Sequence, residues 1–134
     1  MLSPGQQTLL NAAKEALQAH EAIGKRAPCF GFYLDKGGLV REQSRDCASG
    51  EETQLFSWVV EQLESGIREG ATCTALVVPL ERAPGDTEGG VMVDLQERVV
   101  GRLVGVLPWS LDGSRLAFGE PTFTSKAAAL FGAA

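Results

Sequence analysis

The sequence predicts a single α+β domain over residues 1–134, a two-layer sandwich with a mainly antiparallel sheet of about five or six strands and two main helices on one face. Three observations predict this class. Two segments, at about 4–23 and 51–68, carry apolar residues at helical spacing. The segments around them have the composition of short strands joined by glycine-containing turns. Strands joined in this way pair antiparallel, and a helix with one apolar stripe covers one sheet face.

The first helix is predicted over about 4–23 because both of its ends are marked. Ser3, Pro4 and Gln6 have the spacing of a capping box with proline at the first helical position. Gly24 follows the last apolar position and marks the stop. The stripe that would face the sheet consists of Leu9, Leu10, Ala13, Ala16, Leu17 and Ile23.

A β-hairpin is predicted next, with strands at 29–34 and 39–43 around a turn that contains Gly37 and Gly38. The second strand is the more polar of the two, which favours a place near the edge of the sheet. Alternation puts Phe30, Phe32 and Leu34 on one face of the first strand and Cys29, Gly31 and Tyr33 on the other.

The second helix, at about 51–68, has the clearest amphipathic pattern of the chain. A capping box is predicted at 49–52, with Ser49 as the capping residue, and Gly70 marks the stop. Its apolar stripe consists of Leu55, Phe56, Val59, Val60, Leu63 and Ile67.

Three further strands are predicted after this helix. The β-branched run 72–80 is typical of an inner strand, and the polar stretch 81–90 predicts a mobile loop. Apolar and polar residues alternate in the run 91–97, as they do in a strand with one face exposed to solvent. The run 99–109 is apolar on both faces, so we expect it to be central or covered twice, the second cover being a helix or another copy of the chain. Pro108 cannot donate to a ladder and is expected at a strand end or an edge.

The end of the chain carries weaker signals. Asp112 and Gly113 predict a hairpin turn that leads into 115–118. Ser125 has the character of a helix cap, and the tail after it would form one or two helical turns that dock Leu130 and Phe131.

The predicted order of elements is therefore α-β-β-α-β-β-β, with room for a last strand and a short C-terminal helix. This order resembles that of roadblock- and profilin-like domains, which place such a sheet between or beside helices. The resemblance concerns element order alone, and it implies no site residue.

Charge and hydropathy exclude some classes of function. The formal net charge is −5 and there is no basic run, so no nucleic-acid partner is expected. No apolar run approaches the roughly 18 residues that a membrane span needs, and the first residues lack the pattern of a signal peptide. Three widely spaced cysteines indicate reduced thiols and a cytoplasmic location.

No catalytic, metal or cofactor site is expected. His20 lies on the flank of the first helix's stripe, where a boundary residue is the favoured interpretation over a catalytic one. Cys29, Cys47, Cys73 and His20 do not stand at the spacing of metal ligands. Cysteine is among the most buried residues, so Cys29 and Cys73 are expected to be small core residues.

Three aromatic residues remain as candidate binding residues. Trp58 lies at the margin of the second helix's stripe, as a layer-edge residue or as an anchor for a partner helix. Trp109 shares a strand face with Leu107, and closing the end of the core is favoured over contact with a ligand. Tyr33, on the less apolar face of its strand, would line a cleft or face water.

Three hypotheses about function follow. The first is a non-enzymatic binding or regulatory module that acts as a homodimer. The second is a small-molecule sensor or small enzyme with a pocket near Tyr33 and Trp109, to which Cys29 would contribute. The third is an acidic inhibitor or immunity-type protein that its negative charge steers to a basic partner protein.

Overall fold

The computed structural model of the chain describes residues 2–24, 26–83, 85–127 and 130. These residues form two helices, α1 (Pro4–Ala22) and α2 (Glu52–Arg68), and seven strands that all pair antiparallel. The strands are β1 (Phe30–Leu34), β2 (Val40–Gln43), β3 (Cys73–Pro79), β4 (Glu88–Glu97), β5 (Gly101–Asp112), β6 (Arg115–Phe118) and β7 (Thr122–Lys126). The α+β class and the antiparallel sheet are confirmed, and the sheet has seven strands, one more than the upper number predicted, because β7 is added.

The sheet has the order β2-β1-β3-β4-β5-β6, and β7 also pairs with β5. The first half of β5 pairs with β7 and its second half with β6, while β4 runs along the other edge of β5. The prediction that this strand is central is therefore confirmed. The polar hairpin strand, β2, lies at the edge of the sheet, as predicted.

The two helices pack on opposite faces of this sheet, so the prediction that both lie on one face is wrong. Phe32 lies opposite Ala75 in the register of β1 and β3, and both belong to the core under α1. Gly31 lies opposite Leu76, and Leu76 belongs to the core under α2. Successive residues of a strand point to opposite faces, and both faces of β3 are apolar. Each face therefore needs a cover. The helix α1 packs on one face of the sheet, and α2 packs on the other.

The start of α1 is as predicted, but that of α2 is not. The backbone N of Gln6 donates to Ser3 Oγ at 3.1 Å, and the backbone N of Ser3 donates to Gln6 Oε1 at 3.0 Å, which completes a capping box. The N-cap of α2 is Glu51 rather than Ser49, and no side chain caps it. The reason is Gly50, whose φ of +85° turns the chain before the helix begins.

Pro108 lies inside β5 rather than at a strand end. Its carbonyl oxygen accepts from the backbone N of Gly119 at 2.9 Å, so the backbone groups of residue 108 point away from β4. On that side β7 pairs with β5 up to Val106, and β6 pairs with it from Trp109 onward. The proline occupies the gap between two partner strands, where its missing N–H removes no ladder bond.

The face of β4 that the alternation predicts to be wet is buried at Asp94 and Gln96. Arg102 neutralises Asp94, with Nη2 at 2.7 Å from Oδ2 and Nε at 3.0 Å from Oδ1. Gln96 Oε1 accepts from the backbone N of Leu130 at 3.0 Å. The polar groups that predict a wet face are therefore satisfied by Arg102, on the neighbouring strand, and by the backbone of Leu130.

Two further differences concern loops and the chain end. The loop expected at 81–90 is shorter, because β4 begins at Glu88. Ser125 lies within β7 and caps no helix. The predicted tail helix, with Phe131, falls largely outside the described residues; Leu130 packs against the core under α2, as expected. Neither helix of the described chain is long and apolar enough to cross a membrane.

The two predicted caps provide a matched test. We expect Ser3→Ala to lower the free energy of unfolding by about 1 kcal/mol, because the backbone N–H of Gln6 loses its acceptor and the hydroxyl no longer donates to Glu97. Ser49→Ala should change it by less than about 0.5 kcal/mol, since Ser49 is exposed and caps nothing. Urea unfolding followed by circular dichroism measures both values, and equal losses would contradict the assignment.

Candidate functional site

An open cleft of about 780 Å³ lies at the end of the sheet where β1 begins and β3 ends. Its walls come from the last turns of α1, residues 26–29, the start of α2, the loop after β3, and β5. The apolar side chains that line it include Leu17, Phe56, Val78, Leu80, Val91, Trp109 and Leu116. The polar ones include His20, Glu21, Arg26, Cys29, Cys47, Glu52, Glu81 and Arg82.

Trp109 forms one wall of this cleft and is only 8% exposed. It lies opposite Gly89 in the register of β4 and β5, and a Cβ on Gly89 would lie 2.3 Å from Cζ2 of the indole. Only glycine leaves room for the ring at this position. Trp109 packs with Leu107 in the core under α1, so the prediction that it closes the end of the core is confirmed.

Arg82 holds the loop after β3 against Trp109 and α1. Its guanidinium carbon lies 4.5 Å from the centre of the Trp109 ring, which is a cation–π contact. Its two terminal nitrogens lie 3.2 Å from the two carboxylate oxygens of Glu21, near the end of α1. Arg26 in turn donates to the carbonyl oxygen of Arg82. Sequence reasoning missed Arg82, because its role depends on Glu21 and Trp109, which are distant in the chain.

His20 is held by the helix that carries it. Its Nδ1 lies 3.0 Å from the carbonyl oxygen of Ala16, to which it donates, and its ring stacks on Phe30 with the centroids 6.4 Å apart. The half-buried ring at the margin of the α1 core confirms the boundary interpretation. His20 is also one of the residues that line the cleft.

The thiols differ in their surroundings. Cys73 is buried under α1, where burial and then Glu97 raise the pKa of its thiol to about 12. Cys29 is half-buried beside the α2 core, where burial and then Cys47 raise the pKa of its thiol to about 11. Both thiols are therefore protonated at neutral pH and are poor nucleophiles. Cys73 is the core residue expected; Cys29 also faces the cleft.

Tyr33 does not share the cleft with Trp109. It points from β1 toward α2, where its ring lies against Gly66, and a Cβ on Gly66 would lie 2.8 Å from the ring. Trp109 points to the α1 face. The predicted pocket near Tyr33 and Trp109 is therefore wrong in its first member, because the two side chains leave the sheet on opposite sides.

Trp58 is half-buried at the margin of the α2 core, as predicted for a layer-edge residue. The guanidinium carbon of Arg45 lies 4.7 Å from the centre of its ring. This cation–π contact fixes the segment before α2 against the helix. Trp58 stands apart from the residues that line the cleft.

Within the described residues, no group of three or more His, Cys, Asp or Glu side chains is placed to hold a metal ion. Comparison of the chain with family models, with curated proteins and with solved structures gives no match in any of the three.

Removing the Arg82 clamp should loosen the wall of the cleft. We expect Arg82→Gln to lower the free energy of unfolding by about 1–2 kcal/mol, through the lost cation–π and ion-pair contacts. In a Trp58→Phe background the emission of Trp109 should also shift to longer wavelength. The matched control is Arg41→Gln, which removes the more exposed Arg41–Asp35 pair and should cost less than about 0.5 kcal/mol. An unchanged Trp109 emission would contradict the clamp.

The raised pKa values predict the order in which the thiols react. With a pKa of about 11, Cys29 presents roughly one thiolate in a thousand at about pH 8, and the buried Cys73 presents fewer. Iodoacetamide should therefore label Cys47 first, Cys29 slowly, and Cys73 only in denaturant, as read by peptide mass spectrometry. Labelling of Cys29 should accelerate as the pH rises toward 11. Fast labelling of Cys29 near neutral pH would be inconsistent with its burial.

Proposed function

We propose that the protein is a non-enzymatic binding module whose cleft beside Trp109 takes a small molecule with an apolar body. The observation that carries this proposal is the cleft itself. Its volume of about 780 Å³ falls within the range of small-molecule sites. Phe56 and Leu80 line it while 42% and 46% exposed, so apolar surface at the cleft is available to a ligand.

The bonding of the polar groups supports binding rather than catalysis. Arg82 and Glu21 neutralise each other, and His20 donates Nδ1–H to the backbone of its own helix. Burial keeps the thiol of Cys29 protonated, with its pKa raised to about 11. Groups held in this way make the wall of the cleft rigid. A preformed site loses less conformational entropy when a ligand binds to it. The free thiols support a reducing, cytoplasmic location.

Anilinonaphthalene sulfonate is a suitable probe, because it is a small apolar molecule with one polar group and its emission rises in apolar sites. We expect saturable one-to-one binding to the folded protein. Leu80→Ser and Phe56→Ser should each weaken binding about tenfold, since each removes apolar contact worth about 1.5 kcal/mol. In the Trp58→Phe background, energy transfer from Trp109 should report that the dye lies beside it.

Leu39→Ser is the matched control, because Leu39 is also a large exposed apolar residue, 59% exposed, but lies in the β1–β2 hairpin. Its dye affinity should equal that of the unmodified protein. A weak signal that does not saturate, or an equal loss in Leu39→Ser and Leu80→Ser, would refute the cleft as the binding site.

A further inference from the structure

The outer edge of β2 carries unpaired backbone groups. Within the described chain β2 pairs with β1 along one edge, and its other edge has no partner strand. The backbone N of Asp35 donates to the carbonyl oxygen of Leu39 at 2.9 Å, so these two residues form a hydrogen-bonded pair of the hairpin. Such pairs alternate along an antiparallel ladder, so Arg41 also bonds to β1. The N–H and C=O groups of Val40 and Glu42 therefore point outward, away from β1.

A groove of about 640 Å³ lies beside this edge, between β2 and α1. We call it the edge groove. Val40 and Glu42 form one wall, because their side chains lie on the face of the sheet that α1 covers, as that of Phe32 does. Val40 is 40% exposed, so apolar surface is available there. The other wall belongs to α1 and consists of Thr8, Asn11, Ala12, Glu15 and Ala16. The two residues with outward backbone groups thus also present their side chains to the edge groove.

The edge groove is negatively charged. Glu15 and Glu42 line it, both are exposed, and neither forms an ion pair with another described residue. Glu42 accepts from Ser44 Oγ at 2.7 Å, a bond that leaves its charge in place. The cation of β2, Arg41, lies on the opposite face of the strand and pairs with Asp35 at 2.9 Å. The described lining contains no basic side chain, so its charge favours a basic occupant.

We propose that the edge groove binds an extended, basic segment of a partner protein, which adds a strand to β2. Backbone hydrogen bonds to Val40 and Glu42 hold the segment, and every second side chain of it enters the groove. In an antiparallel arrangement the residue opposite Glu42 comes two residues before the one opposite Val40. The segment that fits has lysine or arginine at the first of these positions, facing Glu15 and Glu42. It has an apolar residue at the second, where Ala12 and Phe32 also line the groove.

A second copy of the chain fits this edge less well. Two β2 strands can pair antiparallel through the outward groups of Val40 and Glu42 in both copies, but that register places Arg41 opposite Arg41. Like charges directly opposite one another destabilise a strand pair. The same pairing would bring the carboxylates of two edge grooves together, with no basic side chain in the described lining to offset them. A basic segment has neither cost.

The edge groove and the cleft share no lining residue, so this inference stands apart from the proposed function. The probe is a blocked peptide of threonines that contains one lysine and, two residues later, one valine. Because the edge offers only two donors and two acceptors, binding is expected to be weak, and NMR of the ¹⁵N-labelled full chain is the suitable measurement. We expect saturable shifts of the Val40 and Glu42 amide signals and slower hydrogen exchange at both. Glutamate in place of the lysine should weaken binding about tenfold.

N-methylated peptides separate strand addition from simple charge attraction. Methyl groups on the lysine and valine nitrogens remove the donors that face β2 and should abolish binding. Methyl groups on the two threonine nitrogens that flank the valine face solvent and should weaken binding less than about threefold. The two peptides have the same composition and charge, so equal affinities would overturn the proposal.

Charge reversal in the protein tests the role of the groove carboxylates. Glu42→Lys should weaken binding of the lysine peptide about tenfold and strengthen binding of the glutamate peptide by a similar factor. Glu61→Lys is the matched control, because Glu61 is exposed on α2 and the net charge changes equally; its affinities should stay within about twofold of the unmodified protein. Circular dichroism checks that both variants fold.

Three results would overturn the assignment. The first is a titration that shows no saturable shift up to about 5 millimolar peptide. The second is an equal loss of binding in Glu42→Lys and Glu61→Lys. The third is a shift of the Val40 and Glu42 signals when the protein is concentrated without peptide, which would identify a second copy of the chain as the occupant of this edge.

Discussion

The pairing of β1 with β3 is the contact on which the rest of the structure depends, because it is buried on both of its faces. On one face Phe30 lies opposite Val77 under α1, and on the other Gly31 lies opposite Leu76 under α2. A Cβ on Gly31 would lie 2.9 Å from the carbonyl oxygen of Ala75 and 3.0 Å from Val59. The missing side chain therefore lets α2 come close to the sheet. Any larger residue would lift this helix from its half of the core.

The two helices cover different numbers of strands, and this difference explains where the cleft lies. α1 contacts β1, β3, β4 and β6, whereas α2 contacts β1, β2 and β3. The wider cover of α1 brings its last turns beside Trp109, and the cleft lies where those turns meet the start of α2 and the end of β3. The narrower cover of α2 leaves Val106 and its neighbours exposed. The position of the cleft and the exposure of Val106 are thus two consequences of the same asymmetry in how the helices lie.

The sequence predicts the elements better than it predicts their neighbours. Ser3 and the apolar stripe after it locate α1 to within a residue, because capping and periodicity are local. The same periodicity shows that α2 has an apolar face without showing which strand that face covers. The run 99–109 is apolar on both faces, but this pattern does not say which strands each helix covers. The prediction that both helices lie on one face is wrong for this reason.

In the candidate site too, the sequence predicts features that depend on neighbouring residues and misses contacts between residues distant in the chain. Strand parity correctly predicts that Trp109 lies beside Leu107. It also predicts the correct face for Tyr33, but parity within one strand cannot relate that residue to a strand that is distant in the chain. Arg82 lies in the polar stretch 81–90, for which the composition predicts a loop and nothing about individual side chains. Its role arises from Glu21, a partner 61 residues away, and no pattern of spacing carries that information.

The Asp94–Arg102 pair explains how the exposed part of the sheet keeps one register. The part of β4, β5 and β7 that α2 does not contact carries Met92, Val104, Val106, Thr122 and Thr124. Such a surface accepts a two-residue slip of one strand past another without exposing a different set of side chains. A slip between β4 and β5 would separate the buried carboxylate of Asp94 from its two bonds to Arg102. An unpaired buried charge costs several kcal/mol, which is enough to exclude the alternative register.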